Sequence, residues 1–493
     1  MNPMFLCDAY KLGHMSQYPA GTTHVYSNFT ARSFRFLREY CPVDKMVWFG
    51  LQGVLKEMEE NWQKDFFDQP IDDLIEEFRS QFGHFVEADW KGYQNFRDLH
   101  TLGYLPLIIK ALPEGAQLKE GVPALTIENT EGKFFWLTNF IETYLSSELW
   151  KMSTNATIAK YYREAFIDAA NKTGSPQEFT PWQGHDFSYR GMSGTNDAAK
   201  SGAAHLLSFL GSDTLPALAY LGKYYGAKGT FIGGSVPATE HSVMCAGGKE
   251  TEISTYRRLI TETYPSGVVS IVSDTWDFWN VVTNLATELK DDILNRKPDA
   301  IGLCKVVFRP DSGNPADIIC GDPKAPVGSP ARKGAIKCLW EIFGGTITST
   351  GHRLLDSHVG LIYGDSITPR LCKEILRRLE EKGFASANIV LGIGSFTYQY
   401  STRDTLGFAM KATNVTVNGV DVAIFKDPAT DTGKTKKSAK GRLAVVLDRD
   451  GQYELIDQQV GVVPGDQLEV VFNGKCIGKE TLEAIRARVI DTM

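Results

Sequence analysis

Between about residues 265 and 395 the chain repeats one pattern: a short, almost wholly apolar run, then an abrupt polar or glycine-rich break. The runs are VVSIV before Ser273-Asp274, KVVF before Arg309-Pro310-Asp311-Ser312-Gly313, VGLIY before Gly364-Asp365-Ser366, and NIVL before Gly392-Ile393-Gly394-Ser395. Apolar runs without polar alternation predict strands covered on both faces, the habit of parallel sheets. TWDFWNVVTNLATEL and TPRLCKEILRRLEEKG predict helices after two of them. In such folds binding and catalytic groups gather beyond the carboxyl ends of the strands, so the four breaks are expected to share one face.

The flanks read differently. Residues 1 to about 150 mix β-type runs, THVYSNF and PLIIKALPEG, with helical pieces, IDDLIEEFRSQFG and FFWLTNFIETYLSSELW. In the last of these Phe135, Leu137, Ile141 and Leu145 fall largely at helical spacing, which reads its aromatics as core. The final hundred residues are β-rich, with NG and DG pairs that predict hairpin turns, and TLEAIRARVI predicts a closing helix. Neither flank looks self-sufficient. The expected organisation is therefore α/β, with 1–150 and 400–493 forming one discontinuous β-rich domain beside an α/β barrel over 151–399.

A length of 493 residues exceeds what one core usually serves and agrees with that division. The formal net charge of −7 argues against a general nucleic-acid or anionic-membrane binder, and leaves room for local basic sites. The basic run GKTKKSAKGR at 433–442 lacks the interleaved aromatics that stack on bases and reads as a solvated loop. Eight cysteines, scattered singly, read as reduced thiols. MNPMFLCDAYKLGH shows no signal-peptide pattern and no run of 18 apolar residues occurs, so a cytoplasmic location is expected.

Loops carrying Arg309 and Asp311, Gly364 and Asp365, and Gly392 and Gly394 combine what a phosphorylated sugar needs. Arginine offers a planar donor fork to phosphate, and glycine lets backbone N–H groups approach it. Carboxylates accept from ribose hydroxyls or hold Mg²⁺ through water. Two upstream segments add polar groups: HDFSYRGMSG, with His185, Asp186, Phe187, Tyr189 and Arg190, and SVPATEHS, where Glu240 is placed to orient or charge His241. Zinc-site spacings, a P-loop and a nucleophile elbow are all missing from the sequence. A sugar-phosphate aldolase or isomerase would want a lysine or carboxylate base at a strand end, and no lysine is so placed.

Taken in order, DAYKLGHMSQYP, FWLTNFIET, HDFSYRG, GSDT, SVPATEHS, VSDTWD, RPDSGNP, YGDS, STRD, FKDP and KGRL resemble the nicotinamide phosphoribosyltransferase family nearly end to end. That resemblance implies an irregular α/β barrel with a β-rich second domain, and a homodimer with active sites shared between subunits. It implies formation of nicotinamide mononucleotide and pyrophosphate from nicotinamide and phosphoribosyl pyrophosphate, with Mg²⁺, and with ATP hydrolysis coupled through a phosphohistidine. Phe187 and Tyr10 of the partner subunit would sandwich the pyridine ring, and Asp213 of GSDT would face its carboxamide. Arg190 and Arg309 would contact phosphate or pyrophosphate. Asp311, with Ser312 and the Gly364-Asp365 pair, would hold the ribose side, and Gly394 and Arg403 would receive the 5′-phosphate. Asp274 would belong to the same cluster. His241 is the expected phosphate acceptor, and with Asp311 carries the expected catalytic roles. Ser395 departs from the family, which has a glycine in that run. Nicotinate in place of nicotinamide, or a non-catalytic signalling role on the same fold, are the competing readings. Asp213 also suits a helix N-cap before LPALAYLGKYYG.

Overall fold

Six short runs drawn from both ends of the chain pair into one antiparallel sheet, in the order Val420–Ala423, Phe408–Val417, Thr22–Ala31, Pro123–Asn129, Leu107–Ala111, Glu469–Asn473. A computed structural model describes residues 1–364, 366–425 and 439–493 of the protein. The chain divides into two compact units, one of Met1–Thr157, Tyr220–Lys228 and Ser401–Thr492, the other of Ile158–Ala219 and Gly229–Tyr400.

In the first unit the N-terminal strand Thr22–Ala31 pairs with Phe408–Val417 on one side and Pro123–Asn129 on the other, so neither flank completes the sheet alone. The Asn418-Gly419 pair has φ of 50° and 76°, the two left-handed residues that a tight hairpin between twisted strands requires. The helix Phe135–Phe140 buries Trp136, Leu137 and Phe140, and Trp136 and Phe140 meet Phe96 edge-on at centroid distances of 5.0 and 5.3 Å. Of the positions that the helical spacing marks as core, Leu137, Ile141 and Leu145 are buried, whereas Phe135 is only partly covered. The closing helix is Leu482–Ile490, capped by the Thr481 side chain on Ala484 N–H.

The second unit is built on six parallel strands: β1 (Gly184–Asp186), β2 (Gly211–Ser212), β3 (Val269–Val272), β4 (Val306–Arg309), β5 (Val359–Tyr363) and β6 (Ile389–Ile393). Their spatial order is β2-β1-β6-β5-β4-β3. The segment 234–238 bridges the two open edges, through Gly211↔Gly234 beside β2 and Ala238↔Ser270 beside β3. Gly234 N–H donates to Leu210 C=O and Ser270 N–H to Pro237 C=O, at 2.8 and 2.9 Å. This closes the sheet into an irregular α/β barrel. The four apolar runs are β3 to β6, all parallel, and their carboxyl ends share one rim.

Helix Pro369–Glu381 follows β5. Thr368 caps it, Pro369 opens it, and Cys372, Ile375, Leu376 and Leu379 are buried at i, i+3, i+4 and i+7. The run after β3 is helical over Phe278–Glu288 but widens into a π turn at Val281–Leu285. One expectation needs correction. NIVL does not end at Gly392: β6 runs through it to Ile393. A Cβ on Gly392 would lie 2.7 Å from Phe187 Cδ2 and 2.9 Å from Gly364 Cα, so this glycine permits close packing inside a strand.

Candidate active site

Each strand of the barrel delivers a polar group at its carboxyl end. At β1, Phe187 N–H donates to Ile393 C=O at 3.0 Å, which fixes the residue after Asp186 to β6. The Phe187 ring lies 4.5 Å from the His185 ring at 38°. Asp186 is fully buried, and its two oxygens accept from Ser188 N–H and from Ser212 Oγ. At the next rim position Asp213 Oδ1 lies 3.0 Å from His185 Nε2 and also accepts from Ser235 Oγ. Burial opposes ionisation of Asp213. The His185 and Ser235 hydrogen bonds and the positive field of Arg309 outweigh it, holding the carboxyl below its ordinary range. Helix Leu215–Tyr224 follows, yet the Asp213 carboxylate is engaged by His185 and Ser235 across the rim.

β3 and β4 are locked at their ends through Ser273. Its N–H donates to Arg309 C=O at 2.9 Å, its Oγ accepts from Arg309 N–H at 3.2 Å, and buried Tyr256 donates to the same Oγ at 2.8 Å. That lock sets Asp274 beside Asp311, whose N–H donates to Asp274 Oδ2 at 3.0 Å. Arg309 is largely buried; its Nη2 donates to Thr239 C=O at 2.5 Å and lies 3.9 Å from Asp311 Oδ2. Thr239 begins the turn to His241, a half-exposed imidazole with Nδ1 3.1 Å from Thr275 Oγ1 and Nε2 3.6 Å from Asp274 Oδ1. Glu240 instead accepts from Ser242. Asp274 and Thr275, rather than Glu240, are therefore the partners of His241.

At β5 a Cβ on Gly364 would fall against Asp311 Oδ1, so glycine brings two strand ends together. Asp365 lies outside the described residues. Ser366 has φ 56°, a conformation that a non-glycine residue adopts at a cost. At β6 Gly394 precedes helix Ser395–Gln399 and has open space where a Cβ would stand. Ser395 packs against Gly191, where an added Cβ would collide with the serine side chain. Arg190, in the short helical turn after β1, and Ser312, in the loop after β4, are both exposed.

The second unit thus brings together Phe187, Asp213, His241, Asp274, Arg309, Asp311, Gly364 and Gly394 on one rim. Tyr10 and Arg403 belong to the other unit. Tyr10 is 66% exposed and meets His14 edge-on at 5.2 Å, and Arg403 Nη2 lies 3.4 Å from Asp404 Oδ1. His185 was named from sequence only as a polar group, and Ser235, Thr239, Ser273 and Thr275 were given no role there; Thr239, Ser273 and Thr275 lie within two residues of an assigned site residue, whereas Ser235 lies six before His241.

Mg²⁺ takes oxygen donors, often only one or two carboxylates plus phosphate oxygens. The residues fit it at Asp274 and Asp311, where Asp274 Oδ1 is buried and accepts no hydrogen bond among the described residues. No helix among the described residues is long and apolar enough to cross a membrane.

Residues 182–473 match the nicotinate phosphoribosyltransferase (NAPRTase) family, and residues 2–109 match the nicotinamide phosphoribosyltransferase N-terminal domain. The chain is 53% identical to a nicotinamide phosphoribosyltransferase of Acinetobacter baylyi, over 99% of this chain and 97% of that one. It is 34% identical to one of Xanthomonas campestris, over 99% and 97%. Among solved structures, the nicotinate-nucleotide pyrophosphorylase of Pyrococcus furiosus superposes with a TM-score of 0.59 at 16% identity, covering 99% of this chain and 94% of that one. Human nicotinic acid phosphoribosyltransferase gives 0.57 at 14%, covering 99% and 93%. These two likenesses show a shared fold. The two sequence relatives and the matched families show more: the chain is an enzyme of the phosphoribosyltransferase type and belongs to the nicotinamide phosphoribosyltransferases of the NAPRTase family.

Proposed function

We propose that the enzyme joins nicotinamide to the ribose of phosphoribosyl pyrophosphate, releasing nicotinamide mononucleotide and pyrophosphate. The observation that carries the choice of base is the Asp213 carboxylate, held ionised by His185 and Ser235 one strand from Phe187. A carboxamide NH₂ donates to an ionised carboxylate, whereas a nicotinate carboxylate is repelled by it. Phe187 and Tyr10 of the partner subunit stack on the ring, which makes the active enzyme a homodimer with shared sites. The ring nitrogen attacks the anomeric carbon, the bond from that carbon to the pyrophosphate oxygen breaks, and the electron pair leaves with pyrophosphate. Little acid–base help is required; alignment and charge stabilisation are.

Asp311 and Ser312, with Gly364 and Asp365, hold the ribose side, Arg190 and Arg309 take the pyrophosphate, and Gly394 and Arg403 take the 5′-phosphate. Asp274 and Asp311 would hold Mg²⁺, which would supply positive charge to the departing pyrophosphate. His241 couples ATP hydrolysis to synthesis: the lone pair of an imidazole nitrogen attacks the γ-phosphorus, the bond to the bridging oxygen breaks and ADP leaves, and water then cleaves the N–P bond, releasing inorganic phosphate and restoring the imidazole. Its half-exposed ring, flanked by Thr275 and Asp274, supports that role. Purified protein given phosphoribosyl pyrophosphate, Mg²⁺ and nicotinamide is expected to release nicotinamide mononucleotide and pyrophosphate in equal amounts. A preparation that forms neither would refute the reading.

A further inference from the structure

We propose that His205 and Tyr398 are positioning residues for the phosphoribosyl substrate: as a hydrogen-bonded pair they hold the short helix after Gly394 in register with the strand end that carries Asp213. His205 ends helix Thr195–His205 and is fully buried, as is Tyr398. His205 Nε2 lies 3.0 Å from Gly211 C=O, and a carbonyl only accepts, so Nε2 carries the proton. Nδ1 is then an acceptor, and Tyr398 Oη, 2.6 Å away, must donate to it. One neutral imidazole thereby connects a backbone carbonyl of β2 to a side chain of the helix Ser395–Gln399. Burial pushes the His205 pKa down to about 4, which keeps the ring in this neutral form. Phe209 stacks on it at 4.9 Å and 20°, fixing the plane of the ring.

The same helix is tied on its other side. Thr397 Oγ1 donates to Ile367 C=O at 2.9 Å, Tyr162 donates to that carbonyl at 2.8 Å, and the two hydroxyls lie 3.1 Å apart. Ile367 is three residues beyond Gly364 and Gly211 two before Asp213. Gly394 and the turn it opens are therefore held between the β5 loop and strand β2 by buried side chains. Removing one tie leaves a buried acceptor without its donor and frees the helix to shift, and displacements well under 1 Å matter for a bound phosphate.

This inference rests on the reading that the Gly394 loop takes the 5′-phosphate. Tyr398→Phe removes only the hydroxyl. It is expected to raise KM for phosphoribosyl pyrophosphate by about tenfold, while kcat and KM for nicotinamide stay within about twofold. His205→Leu should do the same, and His205→Gln, whose amide can donate to Gly211 and accept from Tyr398, should recover most of the loss. Equal rises in both KM values, a fall in kcat alone, or an unchanged KM for phosphoribosyl pyrophosphate would overturn the proposal. If Tyr398→Phe does not fold, the His205→Gln and His205→Leu pair decides it in the same way. If the wild-type protein makes no nicotinamide mononucleotide, the functional reading fails separately; calorimetric binding of phosphoribosyl pyrophosphate to wild type and Tyr398→Phe then still tests the pair.

Discussion

His185 Nε2 stands 3.0 Å from Asp213 Oδ1 at the adjoining ends of two barrel strands, and Ser235 donates to the same oxygen. The histidine thus reinforces a fixed negative charge in place of a free carboxylate. Because the Asp213 pKa lies below its ordinary range, the charge persists throughout neutral and mildly acidic pH and is lost only as pH falls through that depressed value.

Asp213→Asn tests what this charge does. Two unit charges about 4 Å apart at an effective dielectric of about 20 repel by roughly 4 kcal/mol, about a thousandfold in affinity before relaxation. Even a third of that gives roughly tenfold. The ratio of kcat/KM for nicotinamide to that for nicotinate is expected to fall by at least tenfold in the variant. An unchanged ratio with normal activity would leave Asp213 a structural residue.

His241→Ala should abolish ATP hydrolysis and the stimulation of synthesis by ATP, while leaving some ATP-independent synthesis. The check is ADP release measured beside mononucleotide formation. ATP stimulation that survives at wild-type strength would remove His241 from the coupling step.

The shared-site dimer predicts complementation. Tyr10→Ala subunits and Phe187→Ala subunits, each nearly inactive alone, should regain activity on subunit exchange, because one site of each mixed dimer has both rings. Mixtures that exchange subunits yet stay inactive would contradict it.

Buried His205 predicts a pH effect on stability. Its folded pKa of about 4 lies below the ordinary 6.5, so between those values the unfolded chain binds more protons. Its contribution is complete above about pH 6.5 and is lost as pH falls towards 4, by roughly 3 kcal/mol at most. Buried Asp186, which favours the protonated ring, and His185, which opposes it, set the net shift together with burial. The stability difference between wild type and His205→Gln, from urea unfolding at pH 7 and pH 5, should shrink or reverse at the lower pH. A difference that does not vary with pH would show that the imidazole does not titrate in this way.

Much of this was legible in the chain because apolar runs without alternation have few other uses. VVSIV, KVVF, VGLIY and NIVL are barrel strands, and the residues that follow them line one rim. What local pattern could not supply is lateral proximity. β1 and β2 are only three and two residues long, too short to give a periodic signal, and the closing segment 234–238 is held by isolated bridges. The His185–Asp213 pair, 28 residues apart, and the His205–Tyr398 pair, 193 apart, exist only once the sheet order is known. Gly392 looked like a turn residue because a glycine in a short run gives no sign whether it bends the chain or admits a neighbour. Glu240 was assigned to His241 by adjacency in sequence, whereas it stands just before the helix His241–Cys245 and its carboxylate accepts from Ser242 in the first turn.

The central claim is the choice of nicotinamide as the accepting base, and competition tests it most directly. With equimolar nicotinamide and nicotinate in one reaction, phosphoribosyl pyrophosphate and Mg²⁺ present and products resolved by chromatography, the two mononucleotides report relative kcat/KM. We expect nicotinamide mononucleotide in at least tenfold excess. Nicotinate mononucleotide as the main product would contradict the account.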